Sequence, residues 1–272
     1  MSTASRVVSS FNPTKTYYIP THGGVILSSS PLYIYDLTPK LKHRVPAEDA
    51  YSDRKAFKRD VREVLKAWKE QEKDGKGKGA DAMGMLEPAA VVKRGRKGGK
   101  VLEDVDSRGM ASWNVPWALW KEIVVDVQYP DRDEWDVVVC TDSYDPRSQF
   151  FDLREARLAI STRKSPDAHQ LTNRGKKRYR WKFVTPRELV LEKSSRDAGR
   201  YVVAVFYLTI SSASFPTDLR AWAEGVVKRG AGTTEGTLLF DERGVNRLLV
   251  VATLLIALKR ERQRWGVLGG TV

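Results

Sequence analysis

The chain has 272 residues and a mass of 30.7 kDa, with 41% hydrophobic, 30% charged and 10% aromatic residues, a composition that supports a packed core and excludes a wholly disordered chain. Its 47 Lys and Arg against 34 Asp and Glu leave a net charge of +13, so a counter-charged partner is expected to be an anion. The single cysteine, Cys140, excludes an internal disulfide, and Pro13 after Asn12 removes the one candidate glycosylation acceptor, which together give the expectation of an intracellular protein.

The opening MSTASRVVSSFNP has neither the continuous apolar run of a signal peptide nor the repeated arginines of a transit peptide, and residues 1–10 are expected to be a flexible terminus. Three apolar runs follow, Tyr17-Tyr18-Ile19, Val25-Ile26-Leu27 and Leu32-Tyr33-Ile34-Tyr35. They are separated by Pro20, Gly23-Gly24 and Pro31, which predicts short strands with tight connections. Between Ala47 and Glu72 the period changes. Phe57, Val61, Val64, Leu65 and Trp68 recur at helical spacing with Lys and Arg between them, an amphipathic helix expected to pack on the strands, or alternatively to lie on a membrane surface. From Lys73 to Lys100 there are eight basic residues, three acidic residues and seven glycines, too polar a stretch to offset chain entropy by burial. The whole segment from Pro46 to Ser112 is therefore expected to be an insertion, helical and then flexible, and dispensable for the core. Its run Lys93-Arg94-Gly95-Arg96-Lys97 suggests a nuclear-import or nucleic-acid contact, or a solubilising linker.

Strands are predicted at Trp117–Val127, Glu134–Cys140, Leu158–Ser161, Tyr179–Phe183, Glu188–Leu191, Tyr201–Tyr207 and Gly236–Phe240, with one short helix at Thr217–Val227. So few helical segments argue against a parallel βαβ sheet and for an antiparallel one. Near the end, Asp241 is placed to cap a helix from about Glu242. From Leu248 to Leu258 the only polar residue is Thr253. That run is too short for a membrane span of roughly 20 residues, and a helix with no polar face must be enclosed. Leu248, Val251, Leu254, Leu255 and Leu258 are the expected core of that helix, and a β-barrel closed around it would also remove edge strands. The cluster Lys259–Arg264 suits the negative end of its dipole.

The ending Arg247–Arg264, the run Tyr179-Arg180-Trp181-Lys182, the following Leu189–Leu191 and Gly199–Phe206, and the opening strands after Asn12 resemble an uncharacterised fungal family of the tubby C-terminal-like group. The resemblance covers about Phe11 to Arg264, apart from Pro46–Ser112 and Ser143–Arg174. It implies a mainly β fold, a closed antiparallel barrel of about twelve strands around the carboxyl-terminal helix. On that reading residues 11–265 form one domain and 266–272 a flexible tail. Tubby proteins bind phosphoinositide headgroups through basic residues of the barrel wall, and relatives in the group include phospholipid scramblases. No tubby lipid-binding residue matches a position here one by one, so none is carried over.

Within Arg174–Lys182, six of nine residues are cationic. Strand alternation sends Tyr179, Trp181 and Phe183 to one face and Arg178, Arg180 and Lys182 to the other. With Lys176 and Lys177 these cations form a candidate site for anionic phospholipid headgroups or nucleic acid; the alternative is a solvated face paired with nearby carboxylates. Catalytic chemistry finds little footing. His22, His43 and His169 are far apart and joined by no motif, and Cys140 follows three valines as a small buried hydrophobe. Asp131 with Asp133 and Asp142 with Asp145 lack the remainder of a calcium loop. Neither an enzyme nor a cofactor or metal is expected.

Overall fold

The computed structural model describes residues 11–20, 31–41, 54–74, 86–95, 99–116, 122–130, 134–142, 150–159, 177–185, 188–195, 199–208 and 235–269. In chain order these form β1 (Lys15–Ile19), β2 (Leu32–Asp36), a 3-10 turn (Thr38–Lys40), α1 (Arg54–Asp74), β3 (Pro88–Arg94), β4 (Lys100–Asp104), β5 (Met110–Trp113), β6 (Ile123–Gln128), β7 (Glu134–Asp142), β8 (Phe150–Ala159), β9 (Lys177–Thr185), β10 (Glu188–Ser195), β11 (Gly199–Leu208), β12 (Gly236–Phe240) and α2 (Arg247–Gly269). The protein is mainly β, with one large antiparallel sheet whose strands pair with their sequence neighbours from β2 to β12, as expected for a chain of successive hairpins. Strand β1 pairs with β12 through five register pairs and with β2 through two, Tyr17 opposite Asp36 and Tyr18 opposite Tyr35.

Two apolar clusters sit on opposite faces of this sheet. The inner one joins α2 to residues of nearly every strand, among them Tyr17, Ile34, Val92, Leu102, Ala111, Val125, Val138, Trp181, Leu191, Phe206 and Phe240. Every residue of α2 from Leu248 to Leu258 is buried, so Leu248, Val251, Leu254, Leu255 and Leu258 occupy the predicted core positions. No helix among the described residues is long and apolar enough to cross a membrane. The one polar side chain in the run is satisfied twice: the Thr253 hydroxyl donates to the Leu249 carbonyl at 2.7 Å and accepts from the Trp181 indole at 3.1 Å.

The outer cluster lies under α1, where Phe57, Val61 and Leu65 pack on Tyr18, Val190, Val202, Val205 and Leu239, with Trp68 against the rings of Tyr18 and Tyr35. This decides the predicted amphipathic helix in favour of packing on the strands. It also explains why β11 and β12 read as continuous apolar runs: Val203, Phe206, Leu238 and Phe240 face α2, whereas Val202, Val205 and Leu239 face α1, and a strand covered on both faces loses its polar alternation. Close packing there demands Gly236, since a Cβ at that position would collide with the Phe206 ring and the Tyr207 carbonyl.

The expected insertion at Pro46–Ser112 is corrected by the structure. Among its described elements the helix lies outside the sheet, whereas β3 and β4 belong wholly to the sheet and β5 begins within the segment. Ala90, Val92, Leu102 and Ala111 are core residues. The glycine and charge content of the segment hid three strands of only four to seven residues, each with few inward apolar positions. Two boundaries also move. Helix α2 begins at Arg247 with Asn246 as its cap, accepting from the Leu248 amide at 2.8 Å, while Asp241 instead closes the preceding turn. At its other end α2 continues to Gly269, through much of the expected flexible tail. Strand β8 begins at Phe150, well before the predicted Leu158, and the sheet strand expected from Trp117 starts at Ile123. Residues 1–10, Val25–Leu27 and Thr217–Val227 lie outside the described residues.

Leu254→Asp places an unpaired charge in this interior and is expected to abolish soluble folded protein, read by size exclusion and circular dichroism. Thr253→Val leaves the Trp181 indole without its acceptor and is expected to cost about 1–3 kcal/mol in denaturant unfolding. Excision of residues 88–113 removes three sheet strands and should eliminate folded protein; recovery of a cooperatively melting product would contradict their place in the core.

Candidate anion-binding surface

Strand β9 displays the alternation its sequence predicts. Tyr179 and Trp181 are buried in the inner cluster, and Arg180 and Lys182 are half-buried on the opposite face. Lys177 and Arg178 occupy the first two positions of the strand, and Lys176 lies outside the described residues. The structure therefore places Arg178, Arg180 and Lys182 at alternate positions of one strand, about 6–7 Å apart at the usual rise.

The ladders on either side temper their charge. Arg180 is in register with Asp152 of β8 and Glu192 of β10, whereas Lys182 is opposite Phe150 and Val190, and Arg178 is opposite Arg154 and Ser194. Directly opposed residues share a face, so these three rows carry four cations against two carboxylates, a net of 4 − 2 = +2. Sequence reasoning located the cations but had no means of pairing Asp152 and Glu192 with Arg180, because cross-strand register is invisible until the hairpins are laid side by side.

The other basic segments are dispersed. Lys93 forms an exposed ion pair with Glu103 at 2.5 Å, Arg94 is in register with Lys100, and Arg96 and Lys97 lie outside the described residues. The basic face of α1 is solvent-facing at Arg59, Arg62 and Lys66. Lys259 and Arg260 turn to the carbonyls of Val115, at 3.5 Å, and Pro116, at 3.0 Å. His22, His43, His169, Asp131, Asp133 and Asp145 lie outside the described residues. Among the described residues no three His, Cys, Asp or Glu gather where they could hold a metal ion. Cys140 is fully buried, and burial pushes its thiol up.

A second polar network, which sequence reasoning missed, fixes the start of α2. The Arg247 guanidinium pairs with Asp104 and reaches Asp106 at 3.0 Å. Asp104 in turn accepts from the amides of Asp106 and Ser107, each at 2.9 Å, which shapes the β4–β5 turn. Burial alone would lower the Arg247 pKa, yet Asp104, the Tyr17 hydroxyl and Asp106 raise it; burial pushes the Tyr17 phenol well up. Asn246 donates to the Tyr129 hydroxyl while capping the helix. The turn also brings Gly109 against the helix, where a Cβ would come within 2.8 Å of Leu248 and 2.9 Å of the Tyr129 ring. These groups satisfy one another and hold the start of the helix.

Comparison with protein-family models, curated proteins and solved structures found no match. The reading of the surface thus rests on its own charges and geometry.

Asp104→Ala strands Arg247 beside a largely buried partner position and is expected to cost about 3 kcal/mol. Urea denaturation of this variant beside Asp106→Ala, whose carboxylate is exposed and whose loss should cost at most about 1 kcal/mol, checks the ranking.

Proposed function

We propose that this chain is a non-catalytic, tubby-like barrel that binds anionic phospholipid headgroups peripherally through the outer wall around β9. The observation that carries the proposal is the strict division of β9: Tyr179 and Trp181 anchor the strand in the inner cluster, which leaves Arg180 and Lys182 on the other face of a rigid sheet. A cationic row held by a packed strand presents charge to a planar anionic surface with little conformational cost, at about 1 kcal/mol per basic residue. The barrel form is supported by the succession of antiparallel ladders from β2 to β12, the return of β12 to β1, and the apolar helix buried on the inner face.

The binding reading is supported by the net charge of +13 and by the +2 balance of the β8–β10 rows derived above. In register, Arg180 stands between Asp152 and Glu192, Lys182 between Phe150 and Val190, and Arg178 between Arg154 and Ser194.

Vesicle flotation with phosphatidylcholine alone and with added phosphoinositide tests the function. The wild type should float only with phosphoinositide, and Arg178→Glu/Arg180→Glu/Lys182→Glu should weaken binding roughly 100-fold while its melting temperature changes little. Wild-type flotation without phosphoinositide dependence, together with salt-steep duplex DNA binding, would reassign the surface to nucleic acid.

A further inference from the structure

The outer wall of the sheet falls into three sectors. Helix α1 covers β1, β10, β11, β12 and the Tyr35 end of β2, the cations of the proposed headgroup wall stand on β9, and the outer faces of β2 to β6 form the third sector. Exposed apolar side chains collect on that third sector. Among the described residues five large hydrophobic side chains are exposed: Tyr33, Met110 and Val124 project from β2, β5 and β6, Val105 from the turn after β4, and the fifth is Val184 of β9. Single exposed apolar residues are ordinary on a protein surface, whereas several on one face mark a surface that meets a partner.

Cross-strand register places these residues on one face. Tyr33, Val91, Glu103, Met110 and Gln128 are directly opposed in turn from β2 to β6, and in the adjoining row Lys93 is opposite Val101. Burial agrees: the intervening Val92, Leu102 and Ala111 lie in the inner cluster, while Val91, Lys93, Val101 and Glu103 keep contact with solvent. At the centre of the face β3 and β4 therefore contribute a block of four residues. Val91 and Val101 occupy one diagonal, and the Lys93–Glu103 ion pair, with side chains 48% and 39% exposed, occupies the other.

We infer that this face pairs with the same face of a second copy of the chain. Charge complementarity selects that partner: a surface of one sign would attract one member of the Lys93–Glu103 diagonal and repel the other. A copy turned about a two-fold axis along the Val91–Val101 diagonal instead lays its Glu103 on Lys93 and its Lys93 on Glu103. The valines then meet their own counterparts, and the two ion pairs become four alternating charges around an apolar centre. Such an isologous contact is closed, so it gives a dimer and no longer assembly. From β2 to β6 the face is about 19 Å wide at the usual strand spacing, which makes the contact small and the dimer weak. The face lies apart from β9, and the inference does not rest on lipid binding by that wall.

Sedimentation velocity of the full chain tests it, over a concentration series up to about 100 μM because small interfaces bind weakly. Wild-type protein should pass from monomer to dimer as concentration rises. Lys93→Glu leaves two carboxylates on the charged diagonal and Glu103→Lys leaves two cations, so each variant alone should dimerise roughly tenfold more weakly. Their melting should change little, since exposed ion pairs contribute little to folding. Mixed in equal amounts, the two variants should form a heterodimer, because a doubly negative diagonal then meets a doubly positive one. Wild-type protein that stays monomeric throughout, a Lys93→Glu chain that dimerises as wild type does, or a mixture of the two variants that fails to pair overturns the inference. Should either charge variant fail to fold, Met110→Glu takes its place, at a position 42% exposed on the same face. Dimerisation weakened roughly tenfold is then expected, and undiminished pairing overturns the inference. Phosphoinositide vesicles separate the two surfaces: Lys93→Glu should float as wild type does, and flotation lost in that variant would give the face to a membrane instead of a second copy.

Discussion

An α-helix without a polar face, Leu248 to Leu258, imposes the requirement that the rest of the molecule meets. In water such a helix exposes apolar surface all round, and each Leu, Ile or Val fully withdrawn from water contributes roughly 1.5–3 kcal/mol. The inner face of the sheet buries it: Val125 and Val138 come from β6 and β7, Trp181 from β9, Phe206 from β11 and Phe240 from β12. Because the strands alternate, each gives the helix every second side chain and turns the others outward. The sheet's two surfaces therefore have different chemistries from one cause. The interior tolerates polarity only where it is matched, as at Thr253 with the Trp181 indole and the Leu249 carbonyl.

Charge is distributed along the same helix with a clear asymmetry. At its start Arg247 finds Asp104, Asp106 and Tyr17, and Asn246 caps the first turn through Leu248 and Leu249. At the far end of the apolar run Lys259 and Arg260 meet backbone carbonyls and the cation of Lys100. The first arrangement fixes the helix in register with β4. The second ties the far end of the apolar run to the chain that follows β5.

The outer surface follows a different logic. Part of it is covered by α1, whose Phe57, Val61, Leu65 and Trp68 complete a second apolar layer over β1, β10, β11 and β12. Around β9 the surface is charged instead, and the cations of Arg180 and Lys182 are held on a strand whose alternate residues are locked into the core. Stability and surface chemistry can then vary independently: inward residues of β9 decide whether the strand is held, and outward residues decide what it meets. The carboxylate positions on both sides of Arg180 limit that surface to a modest positive balance.

The sequence by itself determined the chain's β character, the amphipathic and the apolar helices, β12 to its terminal residues, and the alternation of Tyr179 and Trp181 with Arg180 and Lys182, because each is written in local periodicity. It did not reveal β3, β4 and β5. Their inward residues Ala90, Val92, Leu102, Ala111 and Trp113 are spread over three strands of four to seven residues, and only pairing with neighbours makes such short segments strands. The same lies behind the displaced start of α2: Asp241 and Asn246 are both competent caps, and Tyr129 together with the Asp104 turn selects Asn246. Lys100 and Lys259 stand 159 positions apart in the chain, yet hairpin register and the buried path of α2 bring them together. Local side-chain pattern encodes which face a residue takes, whereas long-range strand order and helix placement decide which charges become neighbours, and that second kind of information exists only once the chain has folded.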